Sequence, residues 1–267
     1  MLWVYSAVPF LLGCQTVSDT DTADIGTWRL VWSDEFDGSA NTAPDPTVWT
    51  HDVGGNGWGN GQLEYNTDRT DNVRLTGEGM LEIVAQREEY EGNAYTSGRI
   101  KTQGLWTGGY GRYEARIQLP EGQGVWPAFW MLGADFDTVG WPTCGEVDIL
   151  EMRGDNPYEV HGTIHGPGYS GGESIGGSLT SDQSFVDDFH VFRVDIDPEH
   201  IAWYVDDQLY FTARSGETGG MPWVFDDQYF LLLNVAVGGN YLDNPTDETQ
   251  FPVSMLVDYV RFYERVQ

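Results

Sequence analysis

The sequence predicts an all-β fold, a sandwich of two antiparallel sheets, on three observations. From Trp28 onward, short segments of alternating polarity follow one another. Gly, Pro, Asn and Asp separate them at near-regular intervals, and Gly alone supplies 34 of 267 residues. No long stretch carries the 3.6-residue period of a helix. A chain of this length buries a sizeable core within one domain. Two sheets packed face to face also leave an outer concave face for a ligand.

The individual segments bear this pattern. "RYEARIQL" (112–119) places Tyr113, Ala115, Ile117 and Leu119 on one face. "HVFRVDID" (190–197), "IAWYVDD" (201–207), "QLYFTA" (208–213), "YFLLLNVAV" (229–237) and "MLVDYVRFYE" (255–264) behave similarly, and "VDDQL" has the form of a hairpin turn. The segments from 28 to 267 make up the expected folded domain. Ahead of it, residues 15–27, "QTVSDTDTADIGT", are small, polar and acidic, as a flexible tether is. Residues 1–14, "MLWVYSAVPFLLGC", are apolar but too short to span a membrane as a mature helix. They have the character of a signal peptide, and "LLGC" resembles a bacterial lipobox, although no Lys or Arg precedes the apolar run. Lipidation of Cys14 would give a secreted or surface-anchored lipoprotein and leave Cys144 without a disulfide partner. A plain secretory signal is the alternative.

Charge narrows the choice of partner. Against 42 acidic residues stand 13 basic ones, a net charge of −29. Phosphate binding needs a basic footprint, so this balance argues against nucleic acid and for a neutral or cationic partner. The 11 Trp suggest a stacking surface as well as a core, since indoles favour half-wet platforms.

"GEVDILEMRG" (145–154) carries the chemistry. Glu146 and Asp148 are two apart and share a strand face, whereas Glu151 has the opposite parity. A β-bulge at Ile149–Leu150 would add one residue, reverse the phase and return Glu151 to the face of the other two. Three readings compete: a solvated acidic strand, a Ca²⁺ site, and glycoside hydrolysis by a pair of carboxyls. The apolar neighbours Val147, Ile149 and Leu150 argue against the first, because like charges crowded on one strand cost energy unless a function holds them.

This run resembles the bulged E-x-D-x-x-E signature of family 16 glycoside hydrolases. The resemblance spans roughly residues 28–267. It includes "WSDEFDG" (32–38), "GWGNGQLEYNT" (57–67), "SGRIKTQG" (97–104), "GVWPAFWML" (124–132), "HGTIHGPGYSGG" (161–172) and "LLLNVAVGGN" (231–240). It implies a β-jelly-roll with a substrate cleft on its concave face and, within the laminarinase-like subgroup, a retaining endo-β-1,3-glucanase. On the matching positions Glu146 would be the nucleophile and Glu151 the general acid and then base. Asp148 would couple to the nucleophile.

The cleft residues follow from the same match. Trp126, Trp130 and Trp141 would stack on sugar rings. Arg99 would point outward to sugar hydroxyls, and Asn60 would offer an amide. Two further residues are read from their own segments: Asn234 interrupts an apolar run and would bond substrate or a loop, and His165, of the same parity as His161, is placed on the leaving-group side. A structural Ca²⁺ is implied on the convex side, held by the backbone carbonyls of Glu35 and Gly79 and the carboxylate of Asp258. Only oxygen ligands are involved, as Ca²⁺ prefers. No catalytic cofactor is implied. The expected partner is a β-glucan, met by a monomer. Two alternatives stay open: a family 16 hydrolase acting on mixed-linkage β-glucan or agar, and a non-catalytic β-glucan-binding protein. The presence of all three acids weighs against mere binding.

Overall fold

Alternation gives each strand a face to bury, and the computed structural model, which describes residues 28–266, shows how those faces are paired. One sheet runs in the order Ile175–Thr180, Glu159–His165, Glu146–Met152, Val125–Gly133, Tyr229–Val237, Arg99–Lys101 and Thr50–His51. The other runs Gln208–Arg214, His200–Val205, His190–Ile196, Gly111–Gln118, Val253–Arg265, Leu81–Ala85 and Val73–Leu75, and Trp28–Asp34 also pairs with Val253–Arg265. All pairings within these two sheets are antiparallel. A short parallel pair, Glu64–Asn66 with Tyr95–Ser97, lies apart. Helix is confined, among the described residues, to Phe136–Val139 and two 3₁₀ turns. The expectations for Cys14 and for the 15–27 tether fall outside the described residues.

The core lies between the sheets. Tyr113, Ala115 and Ile117 are fully buried, as their shared parity requires, and they meet the inward residues Phe129, Met131, Val147, Leu231 and Leu233. Tyr229–Val237 is buried at all nine positions. Its inner face joins the core and its outer face forms part of a cleft floor, which explains an apolar run without alternation. The expected hairpin turn carries Asp206 at φ +47° and Asp207 at φ +67°. Two successive positive φ values define a type I′ turn, whose twist suits the flanking strands.

The convex face offers sugars little. Arg112 covers the Trp28 ring at 4.4 Å, Arg193 covers Tyr204 at 4.0 Å, and Arg261 covers Tyr259 at 3.6 Å. The same arginines are tied to Asp195, Asp207 and Glu35. Aromatic faces sealed by cations are not free to stack on a ligand. On the concave side Trp126 and Trp141 line the cleft.

Candidate active site

The acid strand is bulged where parity requires it. Toward Val125–Gly133, Asp148 faces Trp130 and Leu150 faces Phe129, so Ile149 is the extra residue. Toward Glu159–His165, Asp148 faces Thr163 and Glu151 faces His161, three steps against two. Ile149 and Leu150 both turn into the core, at 1% and 0% exposure. The phase flips between them, and Glu146, Asp148 and Glu151 all line one cleft of about 940 Å³ on the concave sheet.

Each glutamate has its own indole donor. Trp126, on the neighbouring strand, donates from Nε1 to Glu151 Oε1 at 3.0 Å. Trp141, on the loop before the acid strand, donates from Nε1 to Glu146 Oε2. His165 sits with Nε2 3.0 Å from Asp148 Oδ2, while its Nδ1 accepts the backbone N–H of Gly171 at 3.1 Å. An accepting Nδ1 leaves the ring proton on Nε2, the nitrogen close to Asp148. His165 pairs across the ladder with Glu146, whereas His161 is the residue opposite Glu151. His165 also acts by its charge on both Glu146 and Glu151. Antiparallel register carries it to the Glu146 end.

Burial and mutual repulsion displace all three carboxyls in one direction. Burial, followed by the charge of Asp148, pushes Glu146 up to about 8, against the opposing pull of His165, the Trp141 hydrogen bond and Arg99. Burial raises Asp148 as well, and a hydrogen bond with Glu146 offsets part of that. Glu151 is raised well above the ordinary carboxylate range by burial and then by Asp148. Glu151 is thus held as an acid, while Glu146 retains the cations and donors that favour its charge.

The remaining candidates gather around these acids, though not all with free polar heads. Arg99 is held between two indoles, 4.8 Å from the Trp58 ring and 4.7 Å from the Trp130 ring. Its Nε donates to Asp52 Oδ2 at 2.9 Å, and Lys101 takes the other Asp52 oxygen. Asp52 thus holds the Nε edge of Arg99, and the residue lines the cleft. The Asn234 side-chain oxygen likewise accepts Trp130 Nε1 at 2.7 Å, which orients that ring. Asn60 is exposed on the cleft wall, and Trp141 remains 48% exposed above Glu146.

Two cleft residues escaped sequence reasoning. Trp58 sits at φ +49° between Gly57 and Gly59, both also at positive φ, and such a loop has no periodicity to betray its direction. Tyr241 tilts onto Trp126 with centroids 4.8 Å apart. It lies four residues past the end of a strand, and only the two glycines before it hint at a turn.

The metal expectation can be weighed on geometry. Gly79, at φ +75°, lies beside Glu35, and a Cβ there would stand 3.9 Å from the Glu35 carbonyl and 3.7 Å from Asp37 Oδ1. Asp258 falls between Val257, opposite Leu81, and Val260, opposite Asp34. It therefore sits where the strand following Gly79 and the strand preceding Glu35 meet. Arg116 binds Asp258 Oδ2 at 2.8 Å, which leaves the other oxygen open. This oxygen-only donor set fits a hard cation. The donor atoms of Glu146, Asp148 and His165 also lie within 4.8 Å of one another, but the Trp141 N–H already serves the Glu146 carboxyl of that cluster.

Known proteins match this architecture. Residues 56–251 fit the profile "Glycosyl hydrolases family 16". A "Beta-glucanase" of Rhodothermus marinus is 44% identical over 96% of this chain and 92% of that protein. A "Glucan endo-1,3-beta-glucosidase A1" of Niallia circulans is 35% identical over 93% of this chain, which spans 41% of that longer protein. The crystal structure of an endo-beta-1,3-glucanase from Pyrococcus furiosus superposes with a TM-score of 0.86 at 43% identity, covering 91% of this chain and 97% of that one. A bulged strand of three acids inside a jelly-roll, a profile match from residue 56 to 251 and such identity across almost all of the chain leave one placement: this protein is a member of glycosyl hydrolase family 16.

Proposed function

We propose that the protein cleaves internal β-1,3-glucosidic bonds of laminarin-type β-glucans with net retention of anomeric configuration. One observation carries the reading: a single bulged strand presents Glu146 and Glu151 on one face about Asp148, each with its own indole donor. Glu146 attacks the anomeric carbon as the bond to the glycosidic oxygen breaks, and the proton on Glu151 passes to that oxygen. Glu151 then takes a proton from water, the hydroxide attacks the same carbon, and Glu146 is released. Two glutamates separated along one strand by a single inward aspartate leave little room for the water that an inverting enzyme holds between its carboxyls. The cleft runs open along the sheet, lined by Trp126, Trp130 and Trp141, which suits cuts within a chain. Proton NMR of the first product from laminarin tests this. The β-anomer is expected before mutarotation, and an α-anomer appearing first removes Glu146 as nucleophile. Product profiles on laminarin, lichenan and agarose separate this reading from activity on mixed-linkage glucan or agar.

A structural Ca²⁺ at Glu35, Gly79 and Asp258 is part of the same proposal. Its support is the junction of oxygen donors described above. Calcium at about 100 times its Kd should stabilise the native state by about 2.7 kcal/mol and raise Tm, and chelation should reverse the gain. Asp258→Ala should abolish the response. Arg116→Ala, which breaks the same ion pair but keeps the carboxylate, should retain it. A wild-type Tm indifferent to calcium would remove the site.

A further inference from the structure

The bulge that brings Glu151 into phase interrupts the ladder on both sides of the acid strand, so its backbone needs support from elsewhere. Asp148 is the last residue in register before the break. Its carbonyl oxygen accepts a hydrogen bond of 2.8 Å from Trp203 Nε1. Trp203 belongs to the opposite sheet, on His200–Val205, and is fully buried. The indole crosses the core to reach the backbone of the acid strand.

Two glycines make room for that crossing. Gly162 lies between Thr163, opposite Asp148, and His161, opposite Glu151. A Cβ at Gly162 would stand 2.3 Å from Trp203 Cδ1 and 2.6 Å from Nε1. Gly177 pairs with Gly162, and a Cβ there would meet the Phe211 ring at 2.6 Å. Phe211 packs on Trp203 with centroids 5.1 Å apart. The Trp203 ring is fully buried, so a methyl at Gly162 would displace it, and one at Gly177 would press on the half-buried Phe211 ring packed against it. Glycine inside a strand weakens it and often marks a close approach. In "HGTIHG" and "SIGG" it marks the path of this indole.

We propose that Trp203 is a positioning residue for glycoside hydrolysis: its N–H pins the Asp148 carbonyl, fixes the bulge and thereby sets where the Glu151 carboxyl stands relative to Glu146. The proposal rests on Glu151 as proton donor.

Trp203→Phe keeps an aromatic ring in the core and removes the N–H. On laminarin, kcat should fall about tenfold or more, with KM changed by less than about twofold, since the fault lies in proton delivery and not in binding. With an aryl β-glucoside whose phenolate departs unprotonated, the loss in kcat/KM, which reports the glycosylation step alone, should shrink to less than about threefold. The basic limb of the pH profile should move to lower pH, as Glu151 relaxes from its buried position beside Asp148. Gly162→Ala should reproduce these effects and add nothing to Trp203→Phe. If Trp203→Phe does not fold, the benzothienyl isostere of tryptophan at position 203, with sulfur in place of N–H, removes the donor alone and faces the same readouts. Equal losses on both substrates, or a lowered Tm with unchanged kcat and pH profile, would overturn the proposal. Glu151→Gln measured alongside keeps the ideas apart. If it discriminates between the substrates and the Trp203 variant does not, only the role of Trp203 fails. If Glu151→Gln itself does not discriminate, the proton-donor assignment falls first.

Discussion

Glu146→Ala should lose laminarin hydrolysis by roughly 10⁵-fold, about 7 kcal/mol of barrier at 1.36 kcal/mol per tenfold, while the fold survives. The reason is geometric. No other carboxyl is placed to attack from the same side, because Asp148 is engaged by His165 at 3.0 Å and lies between the two glutamates on the strand. The fold should tolerate the change, since the substitution removes a half-buried carboxyl that Asp148 repels. A small anion can then enter the space that Glu146 vacates. Sodium azide with an activated β-glycoside should restore turnover and yield the α-glycosyl azide. Substantial laminarin activity in this variant, or a β-azide product, would place the nucleophile elsewhere.

Glu151→Gln should show a loss that depends on the leaving group. General acid catalysis contributes about 10²–10⁴-fold where the leaving oxygen needs a proton, so kcat/KM, which reports the glycosylation step, should show the full loss on laminarin and little of it on a dinitrophenyl glycoside, whose kcat should still fall because Glu151 is also the base of the second step. The same substitution should stabilise the protein at high pH. Glu151 has a folded pKa raised above its unfolded value. Wild-type stability is therefore fully present below the unfolded pKa and is lost as pH rises toward the folded one. Glutamine does not titrate, so the Tm advantage of the variant should be small near pH 4 and grow toward neutral and alkaline pH. Thermal melts across that range check the sign. An advantage largest in acid would refute the buried-acid account.

Much of this was legible in the sequence, and for local reasons. Period-two alternation is written into a strand residue by residue, so Gly111–Gln118 and Val253–Arg265 could be located within one or two positions. The bulge was legible because three acids with broken parity cannot share a face otherwise. What was not legible depends on partners distant in sequence. Arg99 lines the cleft, but its anchor, Asp52, lies 47 residues away and takes its Nε–H. His165 lines the expected cleft, but its ladder partner Glu146 could not be read from the sequence, because strand register is not local. Glu64 looks like a surface acid. It is fully buried, with Oε2 accepting the Val237 N–H at 2.8 Å, and burial pushes it up to about 7. Trp203 follows the core parity of Ile201 and Val205, and nothing in its neighbourhood marks its N–H as aimed at the acid strand.

Counted in codons, the bulge at Ile149 makes the acid strand one residue longer than its neighbour requires. Elsewhere in a strand, losing a single residue turns every side chain beyond it inside out. Here the loss would leave Glu146, Asp148, Glu151 and Met152 facing as they do now, because the unbulged spacing Glu-x-Asp-x-Glu has the same parity. Only two things would change: one buried apolar side chain disappears, and the carboxyls draw closer by up to about 3.3 Å, one residue's rise. The sheet thus holds one point at which an inherited change of length is not a frameshift of faces. At that point descent can alter the distance between the two glutamates and leave the rest of the cleft in place.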